Sequence, residues 1–101
     1  MNYNFEYHNV EASAALETFV REKVDKLVNK YDFIVRADVF FKLENTSSEE
    51  TGKKTGIRLS APGPRLFAES SNKTFHESAA EAARELDTQL RKRKDKMKSH
   101  S

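Results

Sequence analysis

The chain of 101 residues contains no cysteine and no tryptophan, and it has only three glycines and two prolines. Without thiols it cannot form disulfides, thiolate zinc sites, iron–sulfur clusters or a cysteine nucleophile. No stretch approaches the ~18 apolar residues of a membrane helix, and residues 1–10 lack the basic start and apolar run of a signal peptide. We therefore expect a cytoplasmic protein without a membrane segment, which is stabilised by side-chain packing and requires no cofactor.

Groups that could perform catalysis or hold a metal are also scarce. His8, His76 and His100 fall in separate parts of the chain, and none has a second ligand at metal-binding spacing. Gly52 and Gly56 flank two lysines, but this segment lacks the length and the following helix of a phosphate-binding loop. The sequence therefore predicts neither an enzyme nor a metal site.

Charge is distributed unevenly along the chain. Residues 1–90 hold twelve basic and fifteen acidic side chains, a net charge of −3, whereas residues 91–101 hold six basic and one acidic, a net charge of +5. Two or three cations would suffice to complement the dipole of a last helix. Six cations within residues 91–98 repel one another, so we expect a polyanionic partner at this end.

The first third of the chain predicts a strand and a helix. Tyr3, Phe5 and Tyr7 alternate with polar residues, as in a strand with one buried face. Ser13 is a candidate N-cap for a helix whose apolar positions recur every three to four residues. Those positions are Leu16, Phe19, Val20, Val24, Leu27, Val28 and Tyr31.

The remaining pattern predicts three strands and a second helix. Thr74-Phe75-His76-Glu77 matches a capping box at the start of that helix. Its apolar positions are Phe75, Ala79, Ala82, Ala83, Leu86 and Leu90, and it runs into the basic end. The strands are expected at residues 34–44, 55–61 and 66–70, with a hairpin loop at residues 45–54 and a turn at Pro62-Gly63-Pro64.

These elements predict one α+β domain over residues 1–98, followed by a short tail at residues 99–101. The order β-α-β-β-β-α gives two layers, a four-stranded mixed sheet with both helices on one face. The first two strands should be parallel through a right-handed crossover, and the others antiparallel. Without its first strand this is the order of the double-stranded RNA-binding domain, which reads RNA mostly by shape.

Basic residues in both predicted helices are spaced to form ridges. If the helices lie side by side on the sheet, these ridges can face one solvent groove that suits a phosphate backbone. The alternative is that the lysines of the first helix pair with Glu22 and Asp25 or cover apolar edges. The ridges are Lys23, Lys26 and Lys30 in the first helix, Arg84, Arg91 and Lys98 in one stripe of the second, and Lys92 and Lys96 in another.

One aromatic residue is expected on the uncovered face of the sheet. Phe40 points away from Phe41 because side chains alternate along a strand. Bases of single-stranded RNA stack on exposed rings, but one ring does not make a stacking platform. We therefore do not expect RNA recognition through the sheet.

Segments along nearly the whole chain share a pattern with a known family. They are Asn9-Val10-Glu11, Phe19-Val20, Lys23, Lys26-Leu27, Tyr31-Asp32, the strand at residues 37–44 and the terminal block at residues 89–98. The terminal block is the most specific, because it joins the end of an apolar stripe to alternating lysines. On these residues the chain resembles the ribosome hibernation promoting factor and ribosome-associated inhibitor (protein Y) family, which has the same β-α-β-β-β-α fold.

The resemblance implies a protein that binds the small ribosomal subunit between head and body, where mRNA and the A- and P-site tRNAs lie. It would block translation in stationary phase or stress without any chemistry. The implied ribosomal RNA contacts are Lys23, Lys26 and the lysines of the terminal block. Together with the ridges, the expected rRNA-binding residues are Lys23, Lys26, Lys30, Arg84, Arg91, Lys92, Arg93, Lys94, Lys96 and Lys98.

The end of the chain bears on which type of member it resembles. The sequence stops at Ser101, without the C-terminal dimerisation domain of long members or the acidic tail of the inhibitor type. This favours the short form, a monomer off the ribosome that has a separate ribosome modulation factor as a further partner. Residues 46–54 and 62–64 differ from the short members, so no contact is implied there. Two other functions remain open: a general RNA-binding module that reads duplex shape, and a protein-interaction domain whose basic tail binds an acidic partner.

Overall fold

Six elements follow the predicted order in the computed structural model, which describes residues 1–47 and 51–98. The predicted tail at residues 99–101 lies outside the described residues, as does the centre of the 45–54 loop. The elements are β1 (Asn2–His8), α1 (Ala14–Lys30), β2 (Arg36–Leu43), β3 (Lys53–Ser60), β4 (Leu66–Asn72) and α2 (Phe75–Lys98).

The four strands form one mixed sheet in the order β1-β2-β3-β4. β1 pairs with β2 in parallel, and the other two pairs are antiparallel, which confirms the predicted topology. β3 begins two residues before the predicted start and β4 ends two residues later than predicted. The reason is that Lys53 pairs with both Leu43 and Asn72, which extends the ladder on both sides of β3.

Both helices begin at the predicted caps. The Ser13 hydroxyl accepts a hydrogen bond from the amide of Leu16 at 3.2 Å, and the Thr74 hydroxyl accepts one from the amide of Glu77 at 3.1 Å. Each bond satisfies an amide that the first turn of a helix leaves without a partner. The Ser13 and Thr74 side chains therefore fix where α1 and α2 start.

The hydrophobic core lies between the sheet and the helical layer. The predicted inner faces of both helices are buried there, against side chains of alternate positions in β2 and β3. A buried hydroxyl pair, Thr55 of β3 and Ser78 of α2, is joined at 2.7 Å, so the polar groups of this contact are satisfied. The largest fully buried side chains are Phe41, Ile57, Leu59, Leu86 and Leu90.

The other face of the sheet carries a small aromatic cluster. Phe40 lies on this face, as predicted, and its ring covers Gly56, where an added Cβ would stand only 2.0 Å from the ring. The ring stacks on Phe67 at a centroid distance of 6.3 Å and meets the edge of His8 at 6.2 Å. The guanidinium of Arg58 stands 5.6 Å from the Phe67 ring. Phe40 therefore has neighbours that no local pattern predicts, because they come from other strands.

Candidate nucleic-acid interface

The two helices lie side by side, and three contacts join them along a line of surface that we call the inter-helix groove. The rings of Phe19 on α1 and His76 on α2 meet edge to face at 4.7 Å. The Lys30 ammonium is 3.2 Å from a carboxylate oxygen of Asp87 on α2. At the end of α1, the Tyr31 ring has the Lys94 ammonium of α2 at 5.9 Å from its centroid. The inter-helix groove therefore runs along α1 from Phe19 to Tyr31.

Lys23 and Lys26 lie one turn apart on α1, between Phe19 and Lys30, two residues that contact α2. The Lys23 ammonium stands 5.3 Å from the Phe19 ring and is half-buried, whereas Lys26 is exposed. Asp25, the alternative partner considered from the sequence, instead accepts a hydrogen bond from the Tyr3 hydroxyl of β1. In the part of the chain that the structure describes, neither lysine has a carboxylate within 4 Å. Both charges are therefore available to a polyanion.

The inter-helix groove also contains a negatively charged side chain, that of Asp87. The Asp87 carboxylate accepts a hydrogen bond from the Tyr31 hydroxyl at 2.6 Å, and both of its oxygens are 3.2 Å from the Lys30 ammonium. The bond from Tyr31, with help from Lys30 and Arg91, holds the pKa of Asp87 below its ordinary value despite partial burial. Lys30, one of the predicted RNA-binding residues, is therefore neutralised within the protein.

The cations at the end of α2 divide between its two flanks. Arg91 acts on the charge of Asp87, and Lys94 stands over Tyr31, so both belong to the inter-helix groove. Lys92, Arg93 and Lys96 line a different groove, on the flank that faces β4. The helical repeat explains the division, because neighbours in sequence point about 100° apart. The single groove expected from the sequence therefore holds only part of the predicted set.

The Arg93 side chain is bonded to the backbone of a neighbouring turn. Its guanidinium donates two hydrogen bonds of 2.8 Å to the backbone carbonyls of Pro62 and Pro64. It thereby fastens the Pro-Gly-Pro turn to α2. The sequence contains one signal for this role, since a turn with two prolines leaves carbonyl groups that need donors, but no local pattern identifies the donor.

The last two predicted cations have different surroundings. Arg84 lines an open groove of about 430 Å³ together with Glu69, Glu81 and Glu85, which counteract its charge. Lys98 is the last residue of α2. Among the predicted residues whose side chains the structure describes, Arg84 is therefore the one placed among several carboxylates.

Sequence reasoning missed one cation. Arg65 follows the Pro-Gly-Pro turn, is exposed, and lines the same groove as Lys92 and Lys96. An isolated arginine in a loop carries no periodic signal, so only the tertiary structure reveals its neighbours.

Within residues 1–47 and 51–98, no cluster of three or more His, Asp or Glu residues could hold a metal ion. Nor does any described helix combine the length and the apolar character needed to cross a membrane.

Residues 3–98 match the family described as sigma 54 modulation protein / S30EA ribosomal protein. The chain belongs to this family. The match confirms the family resemblance stated from the sequence segments above. It includes all ten predicted RNA-binding residues and every element of the fold apart from Asn2, the first residue of β1.

Individual members of the S30EA family show how far the similarity extends. The Bacillus subtilis (strain 168) protein named ribosome hibernation promotion factor is 31% identical over 97 residues, 96% of this chain but only 50% of that protein. The Pseudomonas putida protein named ribosome hibernation promoting factor is 27% identical over 99 residues, 98% of this chain and 92% of that protein. This chain therefore spans half of the first relative and most of the second.

A solved structure confirms the fold. A ribosomal subunit interface protein from Coxiella burnetii superposes with a TM-score of 0.81 at 20% sequence identity, over 94% of this chain and 99% of that one. The two proteins therefore share the two-layer arrangement although few residues are identical.

Proposed function

We propose that the protein is a ribosome-associated hibernation factor, which binds ribosomal RNA of the small subunit and occludes the mRNA and tRNA channel. The observation that carries the proposal is the inter-helix groove of a chain of the S30EA family, where Lys23 stands beside Phe19 on α1, and Arg91 and Lys94 of α2 stand near Asp87 and Tyr31. Relatives named ribosome hibernation promoting factor support the same function. A separate modulation factor is part of the proposal as a further partner.

The chemistry of the groove suits RNA backbone. Long, flexible cations from two helices can each neutralise a phosphate, and such contacts position a protein without reading base sequence. Occlusion requires only tight binding, so the proposed function needs no reacting group. The family match makes a general duplex-RNA module or an acidic-protein binder the weaker interpretations.

Co-sedimentation with isolated small ribosomal subunits across a salt series tests the proposal. The variant is Lys26→Glu/Lys94→Glu, and the matched control is Lys42→Glu/Lys73→Glu, which reverses two exposed charges outside the inter-helix groove. We expect saturable binding of the wild type that weakens with salt, and a loss of about a hundredfold or more in the groove variant only.

Two further arms make the test specific. A programmed P-site tRNA should compete with the protein for the small subunit, because both would fill the same channel. Naked duplex RNA should bind much more weakly than the subunit. Equal binding by the groove variant and the control, or equal affinity for naked duplex, would contradict the proposed function.

A further inference from the structure

On the β4 flank of α2, two side chains of the helix bond to the backbone of the neighbouring turn and strand. Arg93 bonds the carbonyls of Pro62 and Pro64 at 2.8 Å each, and the side-chain amide of Gln89 donates to the backbone carbonyl of Phe67 at 2.9 Å. Gly63, at φ +96°, allows the approach, since an added Cβ would stand 3.1 Å from the guanidinium. The segment between the turn and β4 is therefore held against α2 at both ends.

Arg65 lies in that held segment. The resulting groove of about 320 Å³ is lined by Arg65, Leu66, Gln89, Lys92, Arg93 and Lys96. Every charged residue among these is a cation, whereas the neighbouring groove at Arg84 contains three glutamates. The positive charge of the groove is therefore not compensated by an acidic lining residue.

Two of these cations have no hydrogen bond or ion pair in the part of the chain that the structure describes. They are Arg65 and Lys92, both exposed. Arg65 does contribute to lowering the pKa of Asp38, but the first cause of that shift is Arg36, whose guanidinium donates to the Asp38 carboxylate at 2.9–3.1 Å. The hydrogen-bonding capacity of the Arg65 guanidinium therefore remains open to a ligand.

We propose that Arg65 joins Lys92 and Lys96, two of the cations already expected to contact RNA, in a second phosphate-binding site for RNA backbone that is separate from the inter-helix groove, with Arg93 as a positioning residue. The inference rests on the proposed function and deepens it. A guanidinium can grip a phosphate through two hydrogen bonds while lysines add point charges. Leu66, the apolar member of the lining, is buried, so the groove offers little to an apolar peptide. RNA bound at both sites places α2 between two phosphate backbones.

The salt dependence of binding to isolated small subunits tests this site. Each phosphate contact contributes about 0.7 to 0.9 to the slope of log affinity against log salt concentration, so removing one contact should make the slope shallower by about one. We expect this change in Arg65→Ala, with a loss of affinity of about threefold to tenfold at fixed salt. The matched control, Lys42→Ala, removes an exposed cation of the open sheet face and should change neither quantity.

The positioning role of Arg93 is tested by a conservative variant. Arg93→Lys keeps the charge but cannot reach both carbonyls, so Arg65 is no longer held beside α2. We expect a slope close to that of Arg65→Ala, and no further change when the two substitutions are combined. A slope equal to the wild type in Arg93→Lys would show that Arg93 does not position Arg65.

The outcomes separate this inference from the proposed function. If the affinity of the wild type for small subunits falls steeply with salt and Arg65→Ala has the same slope, the second site is wrong while the proposed function stands. If the wild type does not bind, the proposed function fails, and NMR titration with a 12-base-pair RNA decides the site. Shifts of the Lys92 amide and the Arg65 side-chain N–H that disappear in Arg93→Lys would support it, and unshifted signals would overturn it.

Discussion

The two flanks of α2 carry similar numbers of cations but differ in what opposes them. On the flank that faces α1, Asp87 is anchored by Tyr31 and Lys30, so one anion is built into the groove. On the flank that faces β4, the charged lining residues are all cations, and the fixed contact there is the bond from Arg93 to neutral carbonyls. A count of basic residues along a helix therefore overstates the positive potential of one flank and describes the other well.

Leu90 supports both flanks, so its truncation should have the largest effect. The side chain is fully buried below the basic end of α2, and Leu90→Ala leaves a cavity there. We expect a loss of about 2–5 kcal/mol in the free energy of unfolding, measured by urea denaturation. Met97→Ala, about two turns further along and 46% exposed, is the control and should change stability by less than about 0.5 kcal/mol.

Binding of Leu90→Ala to small subunits tests whether both flanks of α2 depend on this core contact. The contributions of the two flanks to the salt-dependent affinity should fall together, since the folded fraction and the position of α2 change for both. Loss of only one contribution would show that the end of α2 is held by something other than this core contact.

Asp87 is the feature that distinguishes the inter-helix groove, and Asp87→Asn removes its charge. Lys30 is then released and no anion repels the RNA, so affinity for small subunits should rise about threefold to tenfold and the salt slope should steepen by about one. Lys30→Ala/Asp87→Asn is the control, because it lacks the released cation. An unchanged affinity in Asp87→Asn would mean that RNA does not enter this part of the groove.

The same substitution predicts a pH dependence of stability. The pKa of Asp87 is lower in the folded protein than its ordinary value, so the ionised carboxylate favours the folded state. This contribution, about 1 kcal/mol for a partly exposed pair, is present above about pH 4 and is lost as the pH falls through the folded pKa. The difference in unfolding free energy between wild type and Asp87→Asn should therefore shrink below pH 4. A difference that stayed constant from pH 7 to pH 2 would contradict the assignment.

Sequence patterns predicted the backbone well because its determinants are local. Alternation in β1, the caps at Ser13 and Thr74, and the helical spacing of the core residues act over a few positions. The ends of β3 and β4 were less predictable, since strand length depends on pairing with another strand.

The candidate site shows the limit of the same reasoning. The phase of a helix predicts which cations share a stripe, but not which stripe meets a partner. Tyr31 with Asp87, and Arg93 with the Pro-Gly-Pro turn, join residues 56 and about 30 positions apart. The position of Arg65 beside Lys92 and Lys96 could not be predicted from the sequence, because it depends on a turn that α2 holds in place.

Arg84 should show the smallest effect of the predicted RNA-binding residues. It lies in the same helical stripe as Arg91 but beside Glu69, Glu81 and Glu85, which reduce the local positive potential and repel phosphate. We expect Arg84→Ala to weaken binding to small subunits by less than about twofold with an unchanged salt slope, whereas Arg91→Ala should make the slope shallower by about one. The two substitutions delete the same side chain from the same helix, so their difference isolates the surroundings. Equal losses would mean that the carboxylates near Arg84 are displaced when RNA binds, and that charge number along α2, rather than local environment, determines affinity.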